Sequence, residues 1–257
     1  MSNRVAIYFT ILTFFIAGVF SAGLVILGRF GFAVQSTDNI WINIPFVIYI
    51  CSPAISSYIV LKKQRIIGSF REWLGNVFSI KGKPSHYAFV FAGIIIYFAI
   101  QVYIADSVQE IGISTMLMFL LFMPATLLLG GLEEAGWVYI LQPKLDSKYG
   151  FALSSLCMGI IWIVWHIPLF FIVGTTHYEG GFPLFWLFAF SNIFGRFYYT
   201  AIHRVSGNVF LSILFHTMWN AGYNSFAFER TWQGYFIGFF VLFVISVVAV
   251  VRVRKQD

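Results

Sequence analysis

Uncharged runs of about 20 residues recur along this chain, and that is the length an α-helix needs to cross the roughly 30 Å hydrocarbon core of a bilayer. On that scale there are eight candidate crossings, at about 5–28, 41–61, 87–105, 115–141, 151–173, 183–203, 208–224 and 232–251. In lipid every backbone N–H and C=O must be satisfied inside the element, so runs of this kind fold as helices. The expected fold is therefore all-α: a polytopic membrane helical bundle of about eight transmembrane helices. The fourth run is long and carries two acids near its end, so part of it is expected to be broken or interfacial, and the seventh is short. Composition agrees, because only 10% of the 257 residues are charged, against about a quarter in a soluble domain.

The basic residues then set an orientation. With a cytoplasmic N-terminus, the inside segments hold Arg4, Lys62, Lys63, Arg65, Arg71, Lys81, Lys83, Lys144, Lys148, Arg204, Arg252, Arg254 and Lys255. The outside loops hold only Arg29 and Arg230, and Arg196 lies within a span. Thirteen against two is the asymmetry of the positive-inside rule. Both termini are therefore expected to be cytoplasmic, in a multi-pass protein of the bacterial plasma membrane. The formal charge of +6 is accounted for by topology and does not call for a nucleic-acid partner. The basic segment 62–83, with Trp73 and Phe78 interleaved, reads as an amphipathic helix on the cytoplasmic surface, or else as a solvated loop. Residues 1–112 are taken as N-terminal transmembrane helices with this segment. Cys51 and Cys157 sit inside apolar runs and read as small buried hydrophobes. The N-terminal run lacks a small-residue cleavage site and reads as a first crossing.

Ionisable groups within a membrane are costly and are functional candidates by default. Here they are Glu133, Glu134, His166, Arg196 and His216, joined by the polar Asn220. His216 and Asn220 are four apart and share one helix face, as do Trp162 and His166. Pro168 should loosen the helix just past His166. Glu133 and Glu134 follow Gly130-Gly131 and point about 100° apart, so one should work and the other support it. Two carboxylates, two imidazoles and an amide suit hydrolysis: a sheltered carboxylate can take a proton from water, and His with Asn can donate to an oxyanion. The same set could hold a divalent metal such as zinc through Glu133, His166 and His216, although no HExxH helix is present. At about 1.5 Å per residue, Glu133 and His216 lie roughly 12–14 Å from the cytoplasmic side and His166 roughly 20 Å. A site there would open toward the cytoplasm.

At these residues the chain resembles the CPBP intramembrane proteases, also called the Abi or CAAX prenyl endopeptidase family. That family includes the type II CAAX proteases and bacterial members linked to bacteriocin immunity. Its Glu-Glu motif reads EEAGWVYILQPKL at 133–145, its aromatic-x-x-x-His motif WIVWHIPLFF at 162–171, and its His-x-x-x-Asn motif HTMWN at 216–220. The turn AIHRVSGNVFLSILFH before the last motif also looks familial. The resemblance implies a catalytic membrane domain over 113–251, in which Glu133 and His166 activate water. His216 and Asn220 would then stabilise the oxyanion, with Glu134 in support. It implies a metalloprotease-like hydrolase whose substrate is a membrane-associated peptide or protein, prenylated CAAX types included.

One position departs from the pattern. The family's Glu-Glu-x-x-x-Arg motif would place arginine at 138, where this chain has Val138. An unpaired buried carboxylate is expensive, so Glu134 needs another partner. Arg196 could supply it from the sixth span, or could instead snorkel to the interface. Two further readings stay open: a non-catalytic binding or immunity protein that keeps this constellation, and a proton-coupled transporter, for which no repeat symmetry is visible.

Overall fold

The computed structural model describes residues 2–35, 39–106, 111–226 and 231–254. All of the regular structure among them is helical. The succession is α1 (Asn3–Gly28), α2 (Asn43–Ile50), α3 (Ser52–Lys63), α4 (Phe70–Val77), α5 (Pro84–Ile104), α6 (Ile113–Leu128), the single turn α7 (Glu134–Gly136), α8 (Gln142–His166), α9 (Thr176–Ser206), α10 (Val209–Ser225) and α11 (Trp232–Arg254). Arg230 and Lys255, used above to set the charge asymmetry, lie outside the described residues.

Four stretches are long and apolar enough to cross a membrane: Asn3–Gly28, Pro84–Ile104, Ile113–Phe171 and Trp232–Val253. The pair formed by residues 40–50 and Ser52–Lys63, bent by 54°, brings the number to five. Among the described residues, length and apolarity by themselves thus pick out four or five candidates and do not confirm the count of eight. The 59-residue run from Ile113 to Phe171 would extend about 90 Å if straight, far more than one bilayer. It is broken after Leu128 and again at Gly150, where φ is 73°. Helices α9 and α10 complete the bundle but carry the polar residues, and α10 has only 17 residues. The apolar helices and the bundle they form make this an integral membrane protein.

Local chemistry explains the helix ends that matter most for the site. Thr175 starts α9 by accepting a hydrogen bond from the Tyr178 N–H. The helix ends at Gly207, which adopts φ +65°, a left-handed value that costs glycine nothing. Asn208 then opens α10, its Oδ1 accepting from Phe210 N at 2.9 Å. The sequence Ser-Gly-Asn thereby stops one helix and starts the next within three residues. Pro168 acts as expected: α8 ends at His166 and gives way to a tighter turn over Ile167–Phe171.

Two apolar cores flank the site. The first joins α1, α2, α3 and the 135–141 segment around Phe9, Tyr49, Trp137 and Trp165. The second joins α5, α9, α10 and α11 around Tyr97, Tyr198, Phe215 and Phe239. The basic segment after α3 does contain a helix, the eight-residue α4. Its Trp73 is buried, stacked on Phe70 and donating to Ser57 Oγ at 3.0 Å. The apolar face of α4 therefore covers protein rather than lipid.

Candidate active site

The fourth predicted run is broken where the acids occur. Helix α6 ends at Leu128, residues Gly131–Glu133 make one tight turn, α7 adds a single turn, and Trp137–Leu141 form a wide π turn before α8. Such bulges are frequent at functional sites because they re-aim side chains. Here they send the two neighbouring glutamates to different partners.

Glu133 is 3% exposed. Its Oε2 accepts a hydrogen bond from Trp162 Nε1 at 2.9 Å. The same Trp162 takes His166 through its carbonyl, with His166 Nδ1 at 2.9 Å. A carbonyl only accepts, so Nδ1 carries a proton, and in the neutral ring Nε2 presents the lone pair. Trp162 thus bridges Glu133 and His166, which the linear depth estimate had left at different levels.

Glu134 is fully buried and makes no part of the cavity wall. Both of its oxygens accept from Arg196 NH1, at 3.0 and 2.8 Å. Its Oε1 also accepts from His216 Nδ1 at 2.9 Å. Arg196 is 2% exposed, and its guanidinium carbon lies 4.6 Å from the ring centres of both Trp162 and Tyr199. The arginine that Val138 removes from the motif is therefore supplied by α9, and Arg196 does not snorkel to the interface.

With Nδ1 held by Glu134, His216 is oriented to use Nε2. A Cβ built on Gly130 would collide with Asn220 Nδ2 and come within 3.3 Å of His216 Nε2. Gly130 thus marks the spot where the two donors converge, and only glycine leaves it open.

Glu133, Trp162, His166, Arg196, His216 and Asn220 all line one cavity of about 420 Å³. The five residues singled out for catalysis are brought together, four around the cavity and Glu134 behind them. Sequence reasoning missed three contributors. Trp162 was noted only for its spacing to His166, Tyr199 forms half of the aromatic clamp on Arg196, and His177, a cavity residue, lies 6.2 Å from His166 between ring centres.

A resident metal fits this arrangement poorly. Among the described residues no three His, Cys, Asp or Glu side chains are grouped so as to hold an ion. Trp162 and Glu134 engage one atom each of Glu133, His166 and His216, which leaves Glu133 Oε1 and the two Nε2 nitrogens.

Comparison with known proteins agrees with this geometry. Residues 114–222 match the family model for type II CAAX prenyl endopeptidase Rce1-like proteins. A stretch of 62 residues is 37% identical to CAAX prenyl protease 2 of Methanococcus maripaludis, covering 24% of this chain and 21% of that protein. The chain thus spans about a fifth of the length of this curated relative. The matched segment runs from α6 through α10 and contains every residue described above. Over residues 114–222, which hold the whole cluster, the chain is therefore similar to type II CAAX prenyl endopeptidases.

Proposed function

We propose that this protein is an intramembrane endopeptidase that hydrolyses a peptide bond of a membrane-associated polypeptide with a water activated by Glu133 and His166. The observation that carries the reading is the meeting of two kinds of group across one cavity. The Glu133 carboxylate and His166 Nε2, as proton acceptors, line the same cavity as His216 and Asn220, whose Nε2 and Nδ2 atoms flank Gly130.

The chemistry follows from these positions. Water between Glu133 and His166 gives up a proton to that pair as its oxygen attacks the carbonyl carbon. The carbonyl oxygen becomes an oxyanion and accepts from His216 and Asn220, donors already fixed before the reaction. Nε2 donates while Nδ1 also donates only when His216 carries both ring protons. When the C–N bond breaks, the proton held by the Glu133–His166 pair passes to the departing amine. Arg196 neutralises Glu134 and fixes its angle; it is a positioning residue. The name of the Methanococcus relative specifies a prenyl protease, whereas the reading for this chain extends to membrane-associated peptides as a class.

The test is cleavage of a membrane peptide by the purified full chain beside the variants Glu133→Ala and His216→Ala. Each variant is expected to lose at least about 100-fold in kcat, the scale set by removing one oxyanion donor. Retention of wild-type cleavage, or of the cellular phenotype, in both variants would overturn the peptidase reading in favour of a binding role.

A further inference from the structure

Four tryptophans are buried among the described residues: Trp73, Trp137, Trp162 and Trp165. An indole carries one N–H and no acceptor, and inside a protein that donor is normally matched. Three of the four are. Trp73 donates to Ser57 Oγ at 3.0 Å, Trp165 to Ser52 Oγ at 3.1 Å and Trp162 to Glu133 Oε2 at 2.9 Å. Trp137 is the exception: it has no exposure at all, and its Nε1 completes no hydrogen bond. An unmatched buried donor is destabilising and calls for an explanation. Apolar packing alone supplies none, because phenylalanine would meet the same neighbours without the stranded N–H.

The neighbouring acceptor is Glu133. Trp137 stands four residues after it, and both have right-handed helical backbone, so the two side chains share a face. The Trp137 N–H is near enough to the Glu133 carboxylate to act on its charge. The indole itself is confined. Phe9 and Trp165 meet it edge-on, with ring centres 5.4 and 5.9 Å away. Its backbone is pressed against α1 and α3: a Cβ built on Gly136 would fall 2.6 Å from the Pro53 carbonyl oxygen and 2.7 Å from the Phe9 ring. The carboxylate is the part that can adjust, because the last torsion of a glutamate is broad. Trp162 engages Oε2 alone, and a single hydrogen bond leaves the carboxylate plane free to swivel.

We infer that Trp137 is a positioning residue for Glu133: a small rotation of the carboxylate completes a hydrogen bond from Trp137 Nε1, and the base is held between two indoles. Trp162, from α8, lines the cavity, whereas Trp137, from the π turn, belongs to the apolar core and is no part of the cavity wall. The two donors therefore reach the carboxylate from different elements, and together they fix its plane. Ionised, a carboxylate has about four acceptor sites, so two indoles leave it capacity to take a proton from water. The π turn gains a use beyond aiming the glutamates, since it begins at the residue that supplies this second donor.

The effect on catalysis rests on the hydrolytic reading; the contact between indole and carboxylate does not. The contact is read by magnetic resonance of the full chain in detergent, with its tryptophans labelled at the indole nitrogen. Trp137→Phe and Trp162→Phe each remove one N–H signal and so identify the two that matter. Glu133→Gln puts a neutral amide in place of the charged acceptor and should move both signals upfield, with Trp162 as the positive control. A Trp137 signal that stays in place while that of Trp162 moves would overturn the inference. For catalysis, Trp137 is replaced by benzothienylalanine, which keeps the shape of the ring and carries sulfur where the N–H was. With one hydrogen bond to a charged group lost, kcat on a membrane peptide should fall by about tenfold or more while KM stays unchanged. An unchanged kcat would overturn the positioning role. Shifted signals in a protein that cleaves no membrane peptide would instead strike the hydrolytic reading and leave the two-indole hold standing.

Discussion

Arg196 on α9 and Glu134 on α7 form a buried ion pair in which a single guanidinium nitrogen reaches both carboxylate oxygens, at 3.0 and 2.8 Å. The pair is 62 residues apart in sequence, whereas the motif position of the arginine, Val138 here, lies four residues after Glu134. Breaking a buried pair by removing one partner leaves an uncompensated charge, at a cost of about 3–5 kcal/mol. Arg196→Leu is therefore expected to lower the unfolding temperature in detergent sharply and to abolish cleavage. The double variant Arg196→Leu with Val138→Arg returns an arginine to the motif position, four residues after Glu134. It should recover part of both properties. If the single variant unfolds like wild type, the pair contributes nothing and the substitution argument fails.

Gly130 is the second test. Its φ of 176° is not a left-handed value, so the test turns on the space that a side chain would occupy. The added methyl would instead meet Asn220 Nδ2 and crowd His216 Nε2. Gly130→Ala should leave the thermal transition within a few degrees of wild type while kcat falls by about 100-fold or more, as expected when an oxyanion donor is displaced. A variant with normal kcat would show that the oxyanion does not sit between these two donors.

How much of this was legible in the sequence follows from what each signal encodes. Helices, their rough limits and the polar residues they bury came from apolar run length, which is a local property. The break after Leu128 was half visible in Gly130-Gly131 and the adjacent acids, but its form was not, because a π turn has no composition of its own. Charge complementarity alone raised the Arg196–Glu134 pair: one carboxylate lacked a partner, and one arginine stood where lipid would be costly. What singled out neither Tyr199 nor the indole of Trp162 is equally physical. An aromatic residue among 20% aromatics carries no mark of which cation or acid its ring will face.

Trp162 offers a third prediction. Its N–H donates to Glu133 Oε2 at 2.9 Å, while its ring stacks on Phe188 and lies under the Arg196 guanidinium. Trp162→Phe keeps an aromatic face and removes only the donor. A hydrogen bond to a charged group is worth about 1.5–3 kcal/mol, and 1.4 kcal/mol corresponds to about tenfold in rate. Cleavage should fall by about 10- to 100-fold with folding retained. Trp162→Leu also removes the aromatic face beneath Arg196 and should lower the thermal transition as well. Equal stability losses in the two variants would show that the indole N–H, not the ring, supports the fold.

The donor atoms give the fourth. Glu133 Oε2 is taken by Trp162, His166 Nδ1 by the Trp162 carbonyl and His216 Nδ1 by Glu134. The remaining atoms belong to no group of three ligands among the described residues, whereas a catalytic zinc needs three protein ligands at roughly 2.0–2.3 Å. Bringing Glu133 Oε1, His166 Nε2 and His216 Nε2 onto one ion would require the three side chains to close up from where the structure holds them. Cleavage by the purified protein is accordingly expected to survive exhaustive treatment with 1,10-phenanthroline and to gain nothing from added zinc. Elemental analysis of the active preparation should find well under one equivalent of bound transition metal. Inhibition by the chelator that zinc reverses stoichiometrically would show that Glu133, His166 and His216 rearrange into a ligand set, and the proton-transfer roles assigned to Glu133 and His166 would then pass to a metal-bound water.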